Sequence, residues 1–242
     1  MKMFRECPET INKTTSYHCR LLGAVRDGQE EEVCSICPSL HGRMEKEKLI
    51  YKAFRFADCA HQGQYRKGTD IPYLIHLVRT WGYVNQMTEN RTEQAAALLH
   101  DVLEDTKVTE QELRREFGDG ITSLVVGESE YKREEKPAGE TWQIRKQETI
   151  GRLKGRLDNE NDLAAMRIAF ADKLANLYSM MFEYLRVGER LWSKFNQKSK
   201  DMHAWYYGEM GLIFSRYFHE KEPELLGEYW KYYQEVFGTY EI

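Results

Sequence analysis

From Met44 onward, apolar residues recur at helical spacing (Leu49, Ala53, Phe56, Ala57, Ala60) until "HQGQYRKGTDIPY" breaks the pattern with Gly63, Gly68 and Pro72. A helix therefore ends in a basic loop. Further helices are expected over 72–87 and 92–105, and over 109–117, where Thr109 caps "EQELRREF" and Gly118 closes the segment. A short helix near 119–127 precedes the charged loop "SEYKREEKPAGE", and helices follow at 141–155, 160–186, about 197–218 and 223–237. Strand signals are almost absent, so the expected fold class is all-α, a helical bundle. Residues 1–43 read as polar and aperiodic, a poorly ordered N-terminal extension. The bundle occupies 44–218, and residues 219–242 supply a C-terminal helix packed on it.

One segment disturbs this pattern. "LLHDVLEDT", Leu98 to Thr106, places His100, Asp101, Glu104 and Asp105 straight after the apolar run Ala95 to Leu99. In a continuous helix, residues four apart stack on one face and neighbours lie about 100° apart. His100 then sits under Glu104, and Asp101 under Asp105. Buried charge is costly unless it is paired or bound to a metal. A solvated helix end would explain the acids alone, but the adjacent His-Asp pair calls for partners elsewhere.

The long helix can supply them. Asp172, Asn176, Ser179 and Glu183 form one polar stripe between apolar flanks that include Ile168, Phe170, Leu174, Leu177 and Met181. Such a stripe faces either water or a site, and the apolar flanks favour the site. His76 lies among apolar residues in "PYLIHLV", where a histidine alone would be read as part of the core. With His100, Asp101 and Asp172 it completes a mixed nitrogen and oxygen set suited to a divalent ion such as Mn²⁺, with Fe²⁺ or Zn²⁺ also compatible.

Composition narrows the rest. A chain of 242 residues, 41 % hydrophobic and 31 % charged, is ordinary for a globular protein. The net charge of −4 gives no global attraction to nucleic acid or to an anionic membrane surface. No apolar stretch approaches a membrane span and the opening "MKMFRECPETINKTT" has no signal-peptide core, which leads to a cytoplasmic assignment. Five cysteines, an odd number, fit reduced thiols. "CSIC" with Cys7, His18, Cys19 and His41 suggests zinc, but the usual second C-x-x-C or H-x-x-x-H is missing. Neither a Walker loop nor G-x-G-x-x-G occurs.

In order along the chain, "AHQGQYRKGTDIPYLIH", "AALLHDVLEDT", "FGDGITSLV" and "ADKLANL" resemble successive motifs of the guanosine polyphosphate (ppGpp) hydrolase domain of RelA/SpoT proteins and small alarmone hydrolases, members of the HD-domain phosphohydrolases. The resemblance covers about residues 44–218. It implies an HD-domain bundle with a single metal site, His76, His100, Asp101 and Asp172 binding Mn²⁺. Glu104 and Asp105 would position and deprotonate the attacking water. Arg66 and Lys67 would hold nucleotide and phosphates, and Asn176 with Ser179 would line the nucleoside side. Lys132, Arg145 and Lys146 are further candidates for the distal phosphate. The implied partner is a guanosine polyphosphate nucleotide, with neither nucleic acid nor membrane, and a homo-oligomer is compatible with the sequence.

Departures from the family pattern are Leu77 where proline is frequent, Ser129-Glu130 in place of Thr-Lys, and Ser179 in place of threonine. None removes a ligand. The residues after the hydrolase-like region are too few for a synthetase domain, so the expected activity is degradative only: ppGpp and water to GDP and pyrophosphate. Alternatives are an HD phosphohydrolase acting on a ppApp-like alarmone, the NADPH 2′-phosphate or nucleoside phosphates, and a catalytically silent alarmone-sensing module.

Overall fold

The computed structural model describes residues 10–13, 16–19, 23–25, 38–130, 135–156 and 162–240. The chain forms two compact units, Met1–Tyr51 and Lys52–Ile242. In the first, three short strands, β1 (Thr10–Lys13), β2 (Ser16–Cys19) and β3 (Gly23–Val25), pair antiparallel in the order β1-β2-β3. No alternating apolar pattern announces them, and each is only three or four residues long. Cys7, Cys34 and Cys37 of the zinc suggestion lie outside the described residues.

Helix α1 (Pro38–Ala60) begins ahead of Met44 and buries Ala53 and Ala57. The loop after it folds back on itself: Gly63 and Gly68 take positive φ (77° and 73°), Tyr65 bridges Pro72, and the Arg66 N–H donates to the Ile71 carbonyl at 2.8 Å. Glycine meets no Cβ penalty at such angles. The chain then enters α2 (Leu74–Met87) and α3 (Arg91–Leu99), the latter capped by Asn90, whose side chain accepts from the Thr92 N–H at 2.9 Å.

The expected continuous helix over 92–105 is interrupted. After α3, His100 and Asp101 form a turn before the single-turn α4 (Val102–Asp105). Both keep right-handed dihedrals, and the Asp105 N–H still donates to the Asp101 carbonyl at 2.8 Å. The stacking of Asp105 on Asp101 thus survives while the axis is reset. Helix α5 (Glu110–Glu128) opens on a full capping box between Thr109 and Glu112. It bends at Gly118 (φ 76°), where the sequence pattern separates two helices.

Helices α6 (Ala138–Arg156) and α7 (Leu163–Val187) follow, then a 3₁₀ segment, Gly188–Lys194, that the sequence pattern does not reveal. Helices α8 (Lys200–Phe218) and α9 (Pro223–Phe237) complete the unit. Helix α7 is the central rod, packing on α2, α3, α5, α8 and α9. It buries Met166, Ile168, Phe170, Leu174 and Leu177, each burial worth about 1.5–3 kcal/mol. Helix α3 packs on α2, α5 and α7 at once, and Ala95, Ala96 and Ala97, which point in different directions round it, are all fully buried. The unit Lys52–Ile242 is all-helical among its described residues, and none of its helices is long and apolar enough to cross a membrane.

Candidate metal and phosphate site

Three elements bring four side chains to one point. Helix α2 carries His76, the turn after α3 carries His100 and Asp101, and α7 carries Asp172. The possible ligand atoms of His76, His100 and Asp101 lie within 4.8 Å of one another. Asp101 Oδ2 is 3.5 Å from His76 Nε2 and 3.1 Å from His100 Nε2. Asp172 Oδ1 faces the same two nitrogens at 3.1 and 3.6 Å. Both imidazoles and Asp172 are buried.

The hydrogen bonds fit a cation at this point. His100 Nδ1 lies 2.8 Å from the Ala97 carbonyl, an acceptor only, so Nδ1 carries the proton and Nε2 turns toward the carboxylates. His100 Nε2, the ring nitrogen that faces Asp101 and Asp172, has no hydrogen-bond partner among the described residues. A lone pair facing two carboxylate oxygens is repulsive unless positive charge stands between them. Burial disfavours charge on His100, but Asp101 and Asp172 outweigh it and push the imidazole well above its ordinary range. Burial would likewise raise Asp172. The Lys173 ammonium paired with it and the two imidazoles instead hold it well below the carboxylate range. Two imidazoles and two carboxylates suit Mn²⁺, Fe²⁺ or Zn²⁺, and the His76, His100, Asp101 and Asp172 side chains would hold the ion.

Glu104 lies one turn beyond Asp101 and accepts the Glu130 N–H at 3.2 Å. Burial, then the charges of Asp101, Glu130 and Asp105, push its carboxyl up to about 7. Asp105 is tied to the 61–73 loop twice: Gln64 donates to its carbonyl at 2.7 Å, and the Tyr73 hydroxyl lies 2.9 Å from its Oδ2. The same hydroxyl is 2.7 Å from Asp101 Oδ2. Burial and the two carboxylates raise the Tyr73 pKa well above its usual value, so the hydroxyl stays a donor. The Tyr73 ring stacks on His61 at 4.8 Å.

Of the expected nucleotide-binding residues, Arg66 donates to Asn176 Oδ1 at 2.6 Å, and Asn176 in turn donates to Asp172 at 2.7 Å. Lys67 is exposed and bonds to Asn196 at 2.9 Å. Ser179 accepts from Arg79 at 3.2 Å. These residues line one cavity of about 620 Å³ that reaches His76, within the range of small-molecule sites. Arg145 and Lys146, the candidates for the distal phosphate, are both engaged by Glu130, at 2.9 and 2.8 Å, with Thr149 donating to the same carboxylate at 3.0 Å. Lys132 lies outside the described residues.

Sequence reasoning misses Tyr73, Gln64, Lys173, Glu130 and Arg79. Tyr73 and Arg79 sit three residues on either side of His76, a helical interval that marks them as its neighbours. Gln64 and Glu130 act across 41 and 26 residues, a separation that carries no local signal.

Comparison with known proteins agrees with this geometry. An HD domain family model matches residues 53–196. The guanosine-3′,5′-bis(diphosphate) 3′-pyrophosphohydrolase of Borreliella burgdorferi is 31 % identical over 137 residues, 57 % of this chain and 20 % of that protein. The chain thus spans about a fifth of the length of the curated relatives it matches. Among solved structures, a metazoan SpoT ortholog described as hydrolysing ppGpp superposes with a TM-score of 0.60 at 21 % identity, over 79 % of this chain and 97 % of that one. A crystal structure from Listeria monocytogenes EGD-e gives 0.57 at 26 % identity, over 72 % and 100 %. The chain belongs to the HD domain family and is related within it to the ppGpp hydrolase domains of SpoT/RSH proteins.

Proposed function

We propose that this HD phosphohydrolase is a Mn²⁺-dependent (p)ppGpp 3′-pyrophosphohydrolase, converting ppGpp and water to GDP and pyrophosphate. The observation that carries the reading is the convergence of His76, His100, Asp101 and Asp172 beside a carboxyl, Glu104, pushed up to about 7. A bound divalent cation supplies Lewis acidity toward phosphate and lowers the pKa of water. Glu104, with its pKa near neutrality, accepts the proton of the attacking water. Asp105, fixed by Gln64 and Tyr73, orients that water. Arg66, braced by Asn176, faces the phosphate ester, and Asn176 and Ser179 border the nucleoside. Related proteins named as guanosine bis(diphosphate) pyrophosphohydrolases support the choice of nucleotide.

A second reading draws on Glu130. Its carboxylate already occupies Arg145, Lys146 and Thr149, the groups a distal phosphate would use, and this favours a substrate with one phosphate at the reacting end, such as the 2′-phosphate of NADPH. Turnover of Mn²⁺-loaded protein on ppGpp, pppGpp, ppApp and NADPH, with products separated by chromatography, decides. Release of pyrophosphate from ppGpp supports the first reading. Phosphate release from NADPH alone supports the second, and binding without turnover on any of the four replaces both with a sensing module.

A further inference from the structure

Helix α6 supplies neither a metal ligand nor a base, yet one of its faces is committed to the segment beside Glu104. Arg145, Thr149, Arg152 and Arg156 recur at intervals of four, three and four residues, which lines them along one side of the helix. All four reach the end of α5. Arg156 donates to the Gly127 carbonyl at 3.3 Å, and Arg152 to the carbonyls of Glu128 and Ser129 at 3.4 and 3.1 Å. The last carbonyls of a helix have no partner within it, so these guanidiniums take the place of a further turn. Side chains repeat the arrangement. Arg156 pairs with Glu128 at 3.1 Å, while Arg145, Lys146 and Thr149 surround the Glu130 carboxylate.

The contacts are nearly closed to solvent, with the Glu128 and Glu130 side chains each 9 % exposed and that of Arg145 11 %. Charges buried this deeply hold one another in place, because moving one leaves its partner uncompensated. What they hold is a backbone donor: the Glu130 N–H meets a Glu104 carboxylate oxygen at 3.2 Å. Glu104 itself rides on α4, a single turn of four residues and too short to be rigid alone. An anchor outside α4 is therefore needed to fix the direction of its carboxyl group.

Resting on the hydrolase reading above, we propose that Glu130 is a positioning residue: gripped by the Arg145, Thr149, Arg152 and Arg156 face of α6, it aims its backbone N–H at Glu104 and turns that carboxylate toward the attacking water. Arg145 and Lys146 then contribute to turnover without touching the nucleotide, by fixing Glu130. The helix that lies outside the metal cluster thereby sets the geometry of the base.

Two measurements test the two halves of the proposal. Amide hydrogen exchange at Glu130, followed by NMR in the wild type and in Arg152→Met, reads the grip of α6, and exchange about tenfold faster in the variant is expected. A double-mutant cycle between Glu130→Ala and Glu104→Gln, with ppGpp and Mn²⁺-loaded protein, reads the action on the base. Glu130→Ala alone is expected to lower kcat about tenfold with KM and Mn²⁺ affinity within about twofold, and to add less than about twofold to the loss caused by Glu104→Gln. Arg152→Met, which frees only neutral carbonyls, is expected to show the same pattern at about threefold, and it enters the cycle instead if Glu130→Ala does not fold. Unchanged exchange at Glu130 overturns the grip. A loss that is as large in the Glu104→Gln background, or that appears in KM, overturns the positioning role. A wild type that hydrolyses no nucleotide, while exchange at Glu130 quickens in Arg152→Met, refutes the hydrolase reading and leaves the grip on Glu130 standing.

Discussion

Helix α7 separates two buried clusters that treat their polar atoms in opposite ways. On one side His76, His100, Asp101 and Asp172 crowd together, with His100 Nε2 facing both carboxylates and, among the described residues, without a hydrogen-bond partner. On the other, the ring of Phe170 packs 5.0 to 6.0 Å from those of Phe214, Phe218 and Tyr229, and the polar tips of Tyr229, Tyr233 and Trp230 each find an acceptor. Tyr229 donates to the Tyr207 carbonyl at 2.7 Å, Tyr233 to the Ala204 carbonyl at 3.2 Å, and Trp230 to Ser215 at 2.9 Å. The aromatic side is held by ring packing and neutral hydrogen bonds; the acidic side gathers two carboxylates against two imidazoles, a concentration of charge that a cation would compensate. Burial alone therefore does not separate structure from function, but the crowding of buried charge does.

The largest effect that can break this contrast is Asp101→Ala. Removing one of two anionic ligands should abolish Mn²⁺ binding and bring turnover to background, measured by metal titration and assay. Retained metal would place the cation elsewhere. Phe214→Ala, in the complete cluster, should cost roughly 3–5 kcal/mol of stability in denaturant melts. Metal affinity per folded molecule should stay within threefold, and a larger loss would mean the clusters are coupled through α7. Glu104→Gln should spare metal binding and slow turnover by roughly 10²-fold, about 2.7 kcal/mol of barrier. Near-normal turnover would transfer the base role to Asp105.

The smallest expected effect concerns pH. His203 sits among Trp142, Trp192 and Phe195, with Nε2 donating to the Gln197 carbonyl at 2.9 Å. Burial lowers its pKa, the Gln197 bond opposes this, and the Lys146 charge lowers it further. A histidine depressed in the folded state favours folding above its unfolded pKa near 6.5, and that contribution is lost as pH falls through the folded value. Melting temperature should therefore drop on acidification below pH 6.5, and His203→Gln should flatten the drop. An unchanged slope would remove His203 as the cause.

Much of this was readable along the chain because helices advertise themselves locally. The interval Asp172, Asn176, Ser179 placed one polar face on α7, and the motif order joined it to His76, His100 and Asp101. The break at His100 was invisible because both turn residues keep helical dihedrals, leaving the periodicity intact. The strands at 10–25 are too short to show alternation. Arg145 and Lys146 look like open phosphate ligands in sequence because their partner, Glu130, belongs to another segment, and pairing between segments has no period.

Tyr73 places a single hydroxyl proton between Asp101 and Asp105, 2.7 and 2.9 Å away. One proton serves one acceptor fully, so whatever one carboxylate gains the other forgoes. The two acids thus share an inventory rather than acting as separate groups. Substituting either hands the donor to its neighbour, and the effects of the paired substitution cannot be the sum of the single ones.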